Sequence, residues 1–130
     1  MTLDTPHAPR RLMVVDNDHD LADSLCAWIG LTTDWTAVPV YGAEQAVAKA
    51  REEPFDCVLL DIAMPGSDGF DTAVRLDRAN DTSHPAILAI TGNADLRDAA
   101  SADARFAASL LKPPDSNRLL GLLANLDAHN

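Results

Sequence analysis

Basic side chains are scarce in this chain: 10 lysines and arginines stand against 20 aspartates and glutamates, giving a formal net charge of -10. The longest basic cluster is Arg10-Arg11. Such a protein lacks the electrostatic footprint for direct binding to nucleic acid phosphates or anionic lipid, and its acidic surface suits basic partners or metal cations. Long apolar runs are missing too. No stretch reaches the roughly 18 apolar residues of a membrane span, and the first residues do not follow the charged-then-apolar pattern of a secretion signal. Together these absences predict a cytoplasmic protein. Cysteine is limited to Cys26 and Cys57, in the apolar runs Leu25-Cys26-Ala27-Trp28 and Cys57-Val58-Leu59-Leu60. A thiol in such a run acts as a small buried hydrophobe rather than a redox group. The four histidines, His7, His19, His84 and His129, have no ligand-like spacing to the cysteines, which argues against a zinc site and reads each as a solvated loop residue.

What remains is an ordinary globular composition, 47% hydrophobic and 23% charged over 130 residues, with room for one domain and one core. Residues 1–9 read as a flexible N-terminal tail, residues 10–127 as the domain and residues 128–130 as a short C-terminal tail. Five short apolar runs, Leu12-Val15, Thr36-Val40, Cys57-Leu60, Ala86-Ile90 and Ala107-Leu111, predict strands. Segments of helical period follow them. Their stripes are Leu21, Leu25, Trp28 and Ile29; Ala43, Ala46, Val47 and Ala50; Phe70, Ala73 and Val74; a weaker set of Leu96, Ala99, Ala100 and Asp103; and Leu119, Leu120, Leu122, Leu123 and Leu126. Asp115 and Ser116 stand ready to cap the last. The alanine-rich fourth helix is expected to pack lightly.

Strands alternating with helices require a parallel sheet covered on both faces, a doubly wound α/β fold. Pro39 lies in the second run, and a proline without a ladder N–H belongs on an edge strand. That agrees with the flavodoxin-like order 2-1-3-4-5.

In such sheets ligands bind beyond the carboxyl ends of the strands, and four of the five strand ends carry polar chemistry. Asp16, Asn17 and Asp18 follow the first run, Asp61 the third, Thr91 the fourth and Lys112 the fifth. Singly, each is a common cap, turn or surface residue. Jointly, they supply the parts of phosphoryl transfer: a carboxylate nucleophile in Asp61, oxygens for a hard cation in Asp16 and Asn17, a hydroxyl donor in Thr91 and a point charge in Lys112. Two carboxylates about 4 Å apart repel by on the order of 4 kcal/mol at an effective dielectric near 20, so a cation or a bound proton is needed between them.

The segments Val14-Val15-Asp16-Asn17-Asp18, Leu59-Leu60-Asp61-Ile62-Ala63-Met64-Pro65-Gly66-Ser67-Asp68-Gly69-Phe70, Ile90-Thr91-Gly92 and Leu111-Lys112-Pro113 resemble the receiver domain of bacterial response regulators over roughly residues 10 to 127. The Asp-x-x-Met-Pro-x-x-Asp-Gly stretch is the most specific part. The resemblance implies that Asp61 accepts a phosphoryl group from a histidine kinase or phosphotransfer protein, in a Mg²⁺-dependent reaction (Mn²⁺ as a substitute) that the domain itself catalyses. It implies that Asp16, Asn17, Asp61 and the backbone carbonyl of Ala63 hold the metal, that Thr91 follows the phosphoryl group and that Lys112 pairs with it. A cis Lys112-Pro113 bond, output by contact with a protein target, no other enzymatic activity, and a monomer or weak homodimer belong to the same implication.

Two positions depart from the pattern. Asn17 stands where an acidic pair is usual, which predicts weaker metal affinity. Ser109 stands where the family usually has an aromatic residue that turns inward with the threonine, so conformational output must use other contacts. By the same resemblance, Ala63 and Asn93 correspond to family positions that tune how long the phosphate survives. Two other readings are consistent with parts of the chain. Asp16 and Asp18 fit the Asp-x-Asp start of haloacid-dehalogenase-type phosphatases, which leaves the Met64-Pro65 to Asp68-Gly69 motif unexplained. A phosphorylation-independent binding module would keep the fold and use neither metal nor phosphate.

Overall fold

A computed structural model describes residues 10–128; the tail expected at 1–9, residues 129–130, His7 and His129 lie outside the described residues. Ten elements alternate strictly: β1 (Arg10–Val15), α1 (His19–Thr32), β2 (Trp35–Val40), α2 (Ala43–Glu52), β3 (Cys57–Asp61), α3 (Gly69–Asp77), β4 (Ala86–Thr91), α4 (Ala94–Ser101), β5 (Ala108–Leu111) and α5 (Ser116–Ala128). The strands form one parallel sheet in the order β2-β1-β3-β4-β5. The doubly wound, flavodoxin-like fold read from the sequence is the fold observed. β2 is an edge strand, where Pro39 stands opposite Val14.

Because successive strand residues point to opposite faces, each strand feeds two cores. Met13, Val15, Val58, Leu60, Ile87 and Ala89 face α2, α3 and α4, while Leu12, Val14, Leu59, Leu88, Ile90 and Leu110 face α1 and α5. Burial on both faces explains why the strands read as unbroken apolar runs. Four helices open on a short polar side chain. Asp18 accepts from Leu21 N, Asp68 from Phe70 N and Asp71 N, Asn93 from Asp95 N and Leu96 N, and Asp115 from Asn117 N and Arg118 N. These bonds fix where each crossover turns back over the sheet.

Several expectations need correction. In α1 the deepest residues are Ala22, Cys26 and Ile29, with Leu25 and Trp28 only partly buried, because the small side chains let the helix approach the sheet. Asp103 lies beyond α4, where its carboxylate accepts from Arg105 instead of continuing a stripe. His19 is no loop residue: it opens α1, and its ring stacks on Tyr41 with centroids 3.9 Å apart. The light packing expected of α4 is present, since Ala100 is its only buried residue.

Both thiols are buried. Burial, with the nearby Asp23 charge adding to it, pushes the Cys26 thiol up to about 11, and burial pushes Cys57 higher still. Neither cysteine should therefore react with a thiol reagent near neutral pH in the folded protein, whereas both should react in denaturant. Intact mass after alkylation measures this directly.

Candidate functional site

At the carboxyl edge of the sheet the backbone ladder continues one bond past the strands. Asp16 N donates to Val40 O at 3.0 Å, Ile62 N to Ile90 O at 3.1 Å and Lys112 N to Thr91 O at 2.8 Å. The β1/β3 register sets Val15 opposite Leu60, so the next residues, Asp16 and Asp61, stand side by side. Asp61 and Thr91 are the last residues of their strands rather than the first of the following loops, and Lys112 enters from the end of β5 through a cis Lys112-Pro113 bond.

Lys112 Nζ bridges the two carboxylates. It lies 3.0 Å from Asp61 Oδ2, to which it donates a hydrogen bond, and 2.7 Å from Asp16 Oδ2. Asp61 Oδ1 accepts from Ala63 N, and Asp16 Oδ1 accepts from Asp18 N. Both acids are almost wholly buried, Asp16 at 2% and Asp61 at 4% exposure. Burial holds the Asp61 carboxyl above the usual range; the Ala63 N–H and Lys112 pull it down, and Asp16 pushes it further up. Burial would lower the Lys112 ammonium, but the two carboxylates beside it, Asp16 and Asp61, outweigh that and hold it above the ordinary lysine value.

Two carboxylates and one ammonium leave the buried cluster one charge short of neutral. Asp16 Oδ2 meets Lys112 as a charge pair outside hydrogen-bond geometry, and it is a buried side-chain oxygen with no hydrogen-bond donor. A buried oxygen in that condition is costly. The donor set fits a hard, oxygen-preferring divalent cation: two carboxylates, the amide oxygen of exposed Asn17 and the carbonyl of exposed Ala63. Among the described residues no three His, Cys, Asp or Glu side chains are arranged to hold a metal ion, so a cation here would depend on Asn17, backbone and water for the rest of its shell.

Asp18, next to Asn17, spends its Oδ1 as the cap of α1. Thr91 is fully buried, and its Oγ accepts from Asn93 N at 3.1 Å, which leaves its own hydrogen to donate.

One strand end escaped the sequence reading. Tyr41 follows β2, and with Asn17, Glu44, Pro65 and Ser67 it lines a cleft of about 190 Å³ beside the acids. The strand-end rule that found the other residues could have found it; its hydroxyl donates to Asp23 and its ring carries His19.

Two glycines shape the Asp61 loop. Gly66 has φ +77°, a left-handed conformation that only glycine adopts freely. At Gly69 a Cβ would lie 2.5 Å from Ile62 Cα, so α3 can start against the residue next to Asp61 only without a side chain.

Comparison with known proteins bears on the family and the fold. The chain is 39% identical over 83 residues to the transcriptional regulatory protein PrrA of Mycobacterium tuberculosis, covering 64% of this chain and 35% of that protein. It spans between 16% and 35% of the length of the curated relatives it matches. A CheY-like receiver domain protein from Methanospirillum hungatei superposes with a TM-score of 0.79 at 24% identity, over 93% of this chain and 96% of that one. The response regulator protein TrrA from Thermotoga maritima, solved in complex with Mg²⁺ and BeF, superposes with a TM-score of 0.76 at 21% identity, over 90% of this chain and 98% of that one. These two likenesses speak for the fold. The response regulator receiver domain model matches residues 12–124, from within β1 past Lys112 into α5. Having that match over most of its length, with all four loaded strand ends inside it, the chain belongs to the response regulator receiver domain family.

Proposed function

We propose that this protein is a cytoplasmic phosphoacceptor switch, in which Asp61 takes a phosphoryl group from a histidine kinase or phosphotransfer protein and output follows by contact with a protein target. The observation that carries this reading is the Lys112 bridge between Asp16 and Asp61, with Thr91 one strand away. In the step itself an Asp61 carboxylate oxygen attacks phosphorus, the bond from phosphorus to the donor's leaving group breaks, and the leaving group departs with that electron pair.

Asp16, Asn17, Asp61 and the Ala63 carbonyl would hold Mg²⁺ or Mn²⁺, and a bound cation supplies charge neutralisation for the transferred oxygens. Lys112 is placed to pass from the carboxylates to a phosphoryl oxygen and keep one positive charge beside it. Thr91 donates its hydroxyl to another oxygen. Burial of Asp16 and Asp61 keeps bulk water from competing for these contacts.

The test is intact mass after incubation with Mg²⁺ and acetyl phosphate. The wild type should gain about 80 Da, one phosphoryl group, and Asp61→Asn should gain nothing. No adduct on the wild type, even with excess Mg²⁺ and rapid quenching, would leave the phosphorylation-independent binding module as the better account.

Asn17 gives a graded prediction. Asn17→Asp adds a charge to the cation site, so Mg²⁺ affinity by titration calorimetry should rise by about tenfold, and the rate of adduct formation at limiting Mg²⁺ should rise with it.

A further inference from the structure

A fixed aromatic ring stands beside the acids and takes no part in the phosphoryl chemistry. The hydroxyl of Tyr41 donates to Asp23 at 2.5 Å, and His19 stacks on one face of its ring with 19° between the planes. Held at its tip and on one face, the ring has no freedom to turn, so its place in the wall of the cleft is set. At about 190 Å³ the cleft lies well below the roughly 300–1,000 Å³ of pockets for drug-sized molecules, and it suits one side chain rather than a nucleotide.

The surroundings select the charge of that side chain. No lysine or arginine occurs from Leu12 to Ala48 or from Glu52 to Val74, the two spans that supply every residue of the cleft. Lys112 is engaged with Asp16 and Asp61, and Arg75 with Glu44. The Glu44 pair shows what this wall binds: Arg75 Nη1 and Nη2 donate to its two oxygens at 2.6 and 2.9 Å. A carboxylate has about four acceptor positions, so about two remain, on a side chain that is 77% exposed. Ser67 gives its hydrogen to Met64 O at 3.4 Å and keeps its own lone pairs. Free acceptors beside an aromatic ring select a cation, and a planar, forked one that can stack is a guanidinium rather than an ammonium.

We infer that this cleft seats an arginine side chain of the protein that delivers the phosphoryl group, with its guanidinium against Tyr41 and bonded to Glu44 and Ser67. The choice of partner rests on the phosphoacceptor reading. The cleft shares Asn17 with the cation site, and its run from Met64 to Ser67 follows closely on Asp61, so a chain that fills it lies at the acids themselves. A donor has to come that close, whereas a target that reads the output does not.

Titration of the full chain with N-acetylarginine amide, followed by amide and tyrosine-ring NMR shifts, tests the cleft without any phosphoryl group. Shifts should centre on Tyr41, Gly42 and Ser67, and the uncharged N-acetylcitrulline amide should bind about tenfold more weakly. Tyr41→Leu should weaken arginine binding about tenfold, whereas Tyr41→Phe, which keeps the ring, should hold it within about threefold. Ser67→Ala should cost about threefold. Histidine peptides phosphorylated with phosphoramidate then test the partner. With arginine placed at successive positions beyond the histidine, at least one peptide should load Asp61 about tenfold faster than its citrulline counterpart, and Tyr41→Leu should erase the difference.

Equal binding of arginine and citrulline, shifts spread over the acidic surface away from the cleft, or equal losses in Tyr41→Leu and Tyr41→Phe overturn the cleft. An acetyl phosphate adduct with no advantage for arginine at any peptide position overturns the choice of the donor as partner. If acetyl phosphate gives no adduct yet the titration ranks the variants as described, the arginine cleft stands and the phosphoacceptor reading fails.

Discussion

Lys112→Met should cost the folded protein about 3 kcal/mol near neutral pH, because it leaves Asp16 and Asp61 buried together without their cation. The loss should depend on pH in a definite direction. Asp61 already sits above its usual range, chiefly through burial, and Lys112 is one of the groups that pull it down. Without Lys112 it rises further. An acid whose folded value is raised has its full stability below the unfolded value, here 3.8, and loses it as pH climbs through the folded value. The deficit of the variant should thus be small in acid and grow towards neutrality. At the alkaline end the wild type loses its own advantage only as pH passes above the ordinary lysine value of 10.5, since Lys112 is held above it. Urea unfolding across the pH range measures both limbs. Mg²⁺ should restore more stability to the variant than to the wild type, because the ammonium no longer occupies the space between the acids. A deficit that shrinks from pH 4 to 7 would contradict the charge account.

Gly69→Ala should be nearly as damaging for a steric reason. The added methyl meets Ile62 at Cα and Cβ, both 2.5 Å away, and backbone cannot step aside as a flexible side chain would. Overpacking of this kind costs about 1–3 kcal/mol, which lowers the thermal midpoint by roughly 5–15 °C. It also reaches the chemistry. Ile62 stands between Asp61 and Ala63, whose N–H holds Asp61 Oδ1, so phosphoryl acceptance should fall even where the variant is fully folded. Normal adduct formation at full foldedness would show that the loop tolerates the shift.

The strand runs were legible because a sheet buried on both faces leaves its mark as continuous aliphatic sequence. They missed single end residues such as Trp35, Asp61 and Thr91, and fell furthest short at β1, where charge does apolar work. Arg10 and Arg11 belong to β1, yet no apolar pattern includes them; their guanidinium groups lie over the Trp35 and Phe55 rings at 5.4 and 4.7 Å. The helix stripes were legible in period but not in depth, since periodicity cannot tell which of Leu25 and Cys26 the sheet will approach. At the site, Asp16, Asp61, Thr91 and Lys112 were readable from one rule, that chemistry gathers at strand ends. The hydrogen bonds of buried Ser109 to Arg97 O and Ser101 Oγ were not, because these residues have ordinary identities and meet only through the packing of α4 on β5.

The strand order also bears on how the chain is made. The β1 and β3 strands are adjacent and both precede residue 62, so a ribosome delivers Asp16 and Asp61 well before β5 and Lys112. A nascent chain that docked its first three strands would bring two carboxylates together before their counter-charge existed. The repulsion works against such a half-built sheet and favours assembly that waits for the last strand, so the same charges that make the site add to the cooperativity of folding.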